Sequence, residues 1–221
     1  FKRFEGFGFK EGEPNDALRR EYMQAYHACV TFIDAQVKLV LDALKKSGQW
    51  DNTIVIFVSD NGGAWEANNG KLKGGKTDLH EGGIRVCSLA RWPGHIKAGS
   101  ESDVLGHSND LLPTICSAAG VPLPNDDNFD GINLLPLLTG KADDLKRGTT
   151  FWQINLYKNL QRHYPKPKPY ATEIARQGKW KLALAKASGG WTSPKENQAG
   201  KDAPKAQLYD MSNDVGEQKN L

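Results

Sequence analysis

Apolar residues recur at three- and four-residue steps through Leu18, Tyr22, Tyr26, Cys29, Ile33, Val37, Val40 and Leu44. That spacing draws one stripe along a helix. The pattern predicts a helix from about Asn15 or Asp16, either able to cap it, to a stop at Ser47-Gly48. The stripe reads as a core-packing face. The rhythm then changes to a β-branched run over residues 54–59, which predicts a buried strand, and it halts at Asp60-Asn61-Gly62-Gly63. Residues 62–83, rich in glycine and polar side chains, predict a long loop of the kind that is usually functional. Residues 84–92 predict a second buried strand.

Residues 110–119 predict a further helix, with Pro113 tolerated in its first turn and Gly120 at its end. Asp130-Gly131 signals a turn, and residues 134–138 a short helical turn closed by Gly140. After about Lys146 the texture changes. Residues 149–156, 170–184 and 207–211 are strand-like, while residues 166–169 (KPKP) and 188–205 are loop-like. The expected organisation is an α/β core over residues 1–144 and a small C-terminal antiparallel-sheet subdomain over 145–221. Lys179, Lys181 and Lys186 read as a solvated strand face. Residues 1–14 have no periodicity and read as an irregular lead-in.

Composition narrows the picture modestly. The chain has 221 residues, 38% hydrophobic and 25% charged, with a net charge of +3. That length supports a substantial core, and so small a net charge implies no nucleic-acid partner. No apolar run approaches the ~20 residues of a membrane span. The chain begins with Phe1, so the lack of a signal peptide is uninformative about export. Cys29, Cys87 and Cys116 lack C-x-x-C spacing and read as buried thiols.

The strand-to-turn junction carries the first candidate chemistry. In open α/β sheets, ligands bind beyond the carboxyl ends of strands. Asp60 and Asn61 would present two hard oxygens there, a donor type that suits Ca²⁺. An Asp-Asn-Gly turn is also common in any protein, so the junction taken alone favours the ordinary-turn reading.

Longer motifs decide it. Residues 71–86 read KLKGGKTDLHEGGIRV and residues 91–94 read RWPG. With SDNG at 59–62, they resemble the sulfatase family, whose members share the alkaline-phosphatase-like α/β fold: a mixed sheet flanked by helices. Residues 26–62, NDLLPTICSAAGV at 109–121, DGINLLPLLTG at 130–140 and QLYDMSNDVGEQKNL at 207–221 are similar to successive family segments. The resemblance spans nearly all of residues 20–221.

The resemblance implies roles residue by residue. Asp60 and Asn61 match metal ligands, with Ca²⁺ as the expected ion. Lys76 matches the lysine that contacts the sulfate group. His80 occupies a variable, often aromatic position. It could donate a proton or touch the substrate, or be a structural loop histidine. Glu81 is expected to bond loop backbone amides, and Arg85 to be a packed ion-pairing residue. Lys71 and Lys73 are weaker candidates for sulfate. The family also implies a sulfate-ester substrate, such as a sulfated glycan, and a periplasmic or secreted location.

One expected part is missing from these residues. Sulfatases carry a C-x-P-S-R-type motif whose Cys or Ser becomes formylglycine. Cys87-Ser88-Leu89-Ala90-Arg91 has the Cys-to-Arg spacing, but Leu89 stands where proline is needed. It also lies in a predicted strand after the metal motif rather than far before it. Cys116 lacks the arginine. Formylglycine and the remaining metal carboxylates are therefore expected from an amino-terminal portion, and the isolated chain is expected to be incomplete. Two rivals remain: a phosphate or phosphonate ester hydrolase of the same superfamily, and a non-catalytic module binding sulfated glycans.

Overall fold

A computed structural model describes residues 16–64, 68–124, 129–154, 170–186 and 205–221. Expectations for the lead-in, the KPKP run and residues 188–204 lie outside the described residues. The described residues fall into two compact units. One is drawn from Phe1–Leu44, Asp60–Val86 and Thr149–Leu221, the other from Lys45–Ser59 and Cys87–Gly148.

In the first unit, α1 (Asp16–Lys46) runs 31 residues. Gly48, at φ +73°, accommodates the left-handed conformation that follows the helix, a conformation costly for other residues. The apolar stripe departs from expectation. Tyr26, Ile33 and Val40 are 52%, 57% and 68% exposed. Tyr22, Val37 and Leu44 on the same stripe are half-buried, so amphipathic spacing overstated its burial.

The core of this unit is a four-stranded antiparallel sheet. Its strands lie in the order β3 (Thr150–Gln153), β4 (Tyr170–Gln177), β5 (Trp180–Lys186) and β6 (Lys205–Asp210), counting β1 and β2 in the other unit. Gly178, at φ +54°, turns β4 into β5 through a two-residue link, the geometry such hairpins require. Ile174, Ala183, Tyr209 and Met211 form a buried cluster, and Leu79 joins it from the glycine-rich segment. That segment is thus pinned to the sheet by an apolar anchor. It closes in a helical turn, α2 (Glu81–Ile84). Ile84, expected to open a strand, belongs to this turn.

In the second unit, β1 (Val55–Val58) pairs antiparallel with β2 (Ser88–Arg91). The expected strand over 84–92 is therefore shorter. Phe57, Val58 and Leu89 are exposed, although both strands read as buried. Arg91 stacks over Trp50 with its guanidinium carbon 3.6 Å from the ring centroid, and donates to the Trp50 carbonyl. Helix α3 (Leu111–Ala119) ends at Gly120 with φ +67°, and α4 (Leu135–Leu138) closes before Gly140. Asp110 is fully buried and acts as the local hub. Its carboxylate accepts from the backbone of His107 and Ile132 and pairs with Arg147. Cys29 and Cys87 are exposed and Cys116 is half-buried, which corrects the buried-thiol expectation.

Candidate functional site

Asp60 follows two residues after the last residue of β1 in sequence. Asp60 is exposed and Asn61 half-buried. Backbone bonds stitch the following turn to the Lys76 loop. The Gly62 N–H donates to the Gly83 carbonyl at 2.8 Å, and the Lys76 N–H to the Gly63 carbonyl at 2.9 Å.

The glycines make that approach possible. A Cβ on Gly62 would stand 1.8 Å from the Gly82 carbonyl oxygen, and one on Gly83 would stand 1.9 Å from that of Asp78. On Gly75 it would lie 2.7 Å from the Gly63 oxygen. Backbone therefore meets backbone where side chains would normally intervene. Lys76 is exposed. Among the described residues neither it nor Asp60 is committed to an ion pair, so both charges stay available.

His80 is different. It is 1% exposed. Its Nδ1 lies 2.8 Å from Asp78 Oδ1, which also accepts the His80 backbone N–H. A carboxylate there draws the proton to Nδ1. The ring meets Tyr209 edge-on at 6.4 Å. Of the roles left open for His80, the structural one fits this burial. Lys73 is also engaged structurally, donating to the Tyr209 hydroxyl at 3.0 Å.

Below the loop sits a cluster that sequence reasoning missed. Lys181, expected on a solvated face, is 0% exposed. Its ammonium lies 2.9 Å from Glu81 and 2.7 Å from Glu217. Glu81, expected to bond loop amides, instead pairs its carboxylate with Lys181, Arg85 and Arg176. It is the Glu81 backbone N–H that finds a carboxylate, donating to Glu217 at 2.6 Å. Burial works to raise the Glu81 carboxyl. The charge and hydrogen bond of Lys181 outweigh it, helped by Arg176 and Arg85, and hold it below its ordinary 4.5. The expected pairing of Arg85 is present.

Asp60 and Asn61 fit a hard divalent cation by donor type and by their place at a strand end. They supply two of the six to eight oxygens Ca²⁺ takes. Among the described residues no cluster of three or more His, Cys, Asp or Glu side chains could complete the shell.

Comparison with known proteins identifies the family. The family model described as Sulfatase matches residues 2–121, and one described as N-sulphoglucosamine sulphohydrolase, C-terminal, matches 75–182. Human N-acetylgalactosamine-6-sulfatase is 41% identical over 126 residues, covering 54% of this chain and 24% of that protein. Human arylsulfatase A is 34% identical over 205 residues, covering 86% of this chain and 37% of that protein. A structure of a protein with its substrate, D-glucosamine-2-N,6-O-disulfate, superposes with a TM-score of 0.64. It is 23% identical, over 99% of this chain and 40% of the other, and shows the shared alkaline-phosphatase-like fold. The chain thus spans about a quarter to two-fifths of the proteins it matches. It belongs to the sulfatase family.

Proposed function

We propose that this chain is a portion of a sulfuric ester hydrolase acting on sulfate esters of a carbohydrate or aryl alcohol, and that alone it turns over negligibly. The observation that carries this is the pair of backbone bonds joining the Asp60-Asn61 turn to the Lys76 loop. They support this reading because the segment carrying the metal-type oxygen pair is bonded to the segment carrying an uncommitted ammonium. The names of the relatives support both substrate classes, a sulfated amino sugar and an aryl sulfate.

In this reading Asp60 and Asn61 hold Ca²⁺, which would supply Lewis-acid polarisation of the sulfate oxygens. Lys76 contributes a compact positive charge that binds sulfate and offsets negative charge developing on the ester oxygen. The formylglycine nucleophile and remaining metal carboxylates come from sequence outside these 221 residues. Residues 1–144 then belong to the α/β core, and 145–221 form the antiparallel subdomain. A periplasmic or secreted location follows from the family resemblance. Among the described residues no helix is long and apolar enough to cross a membrane.

Titrating inorganic sulfate into the purified chain with Ca²⁺ present tests the site. Weak binding is expected, lost in Lys76→Ala and reduced in Asp60→Ala. Sulfate affinity indifferent to both substitutions would sink the assignment. Assayed on an aryl sulfate, the chain alone is expected to stay far below an ordinary enzyme rate of roughly 1 s⁻¹.

A further inference from the structure

We propose that Asn69 is a positioning residue, which sets the spacing between the Asp60-Asn61 turn and the Lys76 loop. The inference rests on the sulfatase reading of those two segments. Asn69 touches both at once. Its Oδ1 accepts the Gly63 N–H at 3.1 Å. Its Nδ2 donates to the Gly74 carbonyl at 3.1 Å and to the Gly63 carbonyl at 3.4 Å.

Gly63 is two residues beyond Asn61, and Gly74 two before Lys76. The Gly63 carbonyl also receives the Lys76 N–H at 2.9 Å. One side chain therefore braces the backbone on both sides of the Gly63–Lys76 bond.

The surroundings specify the residue type. They offer one donor and two acceptors, so the brace must accept and donate from the same planar group. Only an amide side chain does both in that way. Aspartate accepts but has no N–H to give when ionised, and it would face two carbonyl oxygens. Glutamine carries the same group one methylene further out. Space is also committed: a Cβ on Gly75 would stand 3.3 Å from Asn69 Nδ2. Asn69 itself is half-buried and reaches neither the exposed Lys76 ammonium nor a metal ligand through any of these bonds. It acts on them through backbone.

Amide hydrogen exchange on the whole chain, without ligand, tests the brace. In Asn69→Ala, the Gly63 and Lys76 amides are expected to exchange at least about tenfold faster. The Glu81 amide, bonded to Glu217, should hold its rate and so report an intact fold. Asn69→Asp is expected to split the effect, retaining protection at Gly63 N–H while losing it at Lys76. Unchanged exchange at Lys76 in Asn69→Ala overturns the proposal. So does equal acceleration of Gly63, Lys76 and Glu81, which would mean general loosening. Parallel titrations with Ca²⁺ and inorganic sulfate separate the two readings. Weakened binding in Asn69→Ala with an unchanged Glu81 amide supports positioning. A wild-type chain that binds neither ion, yet shows the expected exchange pattern, upholds the brace and overturns only the assignment of the site.

Discussion

The glycine-rich segment and helix α1 both carry family motifs, but they satisfy their interactions in opposite ways. The segment's polar groups find partners within this chain: Gly62 with Gly83, Lys76 with Gly63, Glu81 with Lys181 and Glu217. Helix α1 leaves Phe32, Ile33, Leu39 and Val40 more than half exposed. Scattered exposed apolar residues are ordinary, and on α1 several of them gather on one helix. The difference teaches that, among the described residues, the backbone of the candidate site is closely bonded while several apolar side chains of α1 stay exposed. That agrees with a chain spanning a fraction of its relatives.

The most severe way to break the comparison is to remove the cation from the buried cluster. Lys181→Met would leave Glu81 and Glu217 facing one another with their shared partner gone. Breaking a buried ion pair from one side costs about 3–5 kcal/mol. Urea unfolding should show a loss of that size. A loss under about 1 kcal/mol would mean that the cluster is open to water and that the contrast with α1 is overstated.

Adding a single methyl where backbones touch should come next. Gly62→Ala places a carbon 1.8 Å from a carbonyl that cannot swing away. Overpacking of this kind costs about 1–3 kcal/mol. Thermal unfolding would read the loss, and an unaltered midpoint would show that the two segments can part without consequence.

The acid limb sharpens the same point. Because the Glu81 carboxyl is held below its ordinary 4.5, its contribution to stability is present above that value. It is lost as pH falls through the depressed folded value. Stability followed downward from pH 5 should therefore decline, and Glu81→Gln should remove part of that decline. An equally steep decline in Glu81→Gln would assign the acid sensitivity to other carboxylates.

The smallest effect is expected on the open helix. Val40→Gln changes a side chain that is 68% exposed, and surface substitutions of this kind stay within about 0.5 kcal/mol. Solubility should improve while the unfolding midpoint holds. A loss above about 2 kcal/mol would show that the stripe is covered in solution, and the comparison would fail.

Much of the local structure was legible because it follows from near neighbours. Gly48, Gly120 and Gly140 end their helices as turn chemistry predicts. The halt of the β-branched run located β1 and the residues after it. Burial was less legible, because it depends on what lies across the space from a side chain. On β5 the usual reading points Trp180 and Leu182 inward and Lys181 outward. The structure does the reverse: Trp180 and Leu182 are more than two-fifths exposed, while Lys181 and Ala183 are fully buried. Two glutamates far off in sequence make that inversion tolerable, and no local pattern announces them. For the same reason Glu81 was assigned the wrong partners, although its place in the motif was plain. Asn69 escaped notice because its meaning lies in three backbone groups that only folding assembles.

Glu217 clasps the Glu81 amide across 136 residues of chain. At roughly 5–20 residues per second of synthesis, the ribosome makes Glu81 about 7–27 s before Glu217. During that interval the nascent loop carries its glutamate without the clasp. Completion of the Lys76 loop therefore waits on translation of β6 and the segment after it. Slow codons or a stall between Lys181 and Glu217 would lengthen the period in which an unclasped loop is offered to chaperones and proteases.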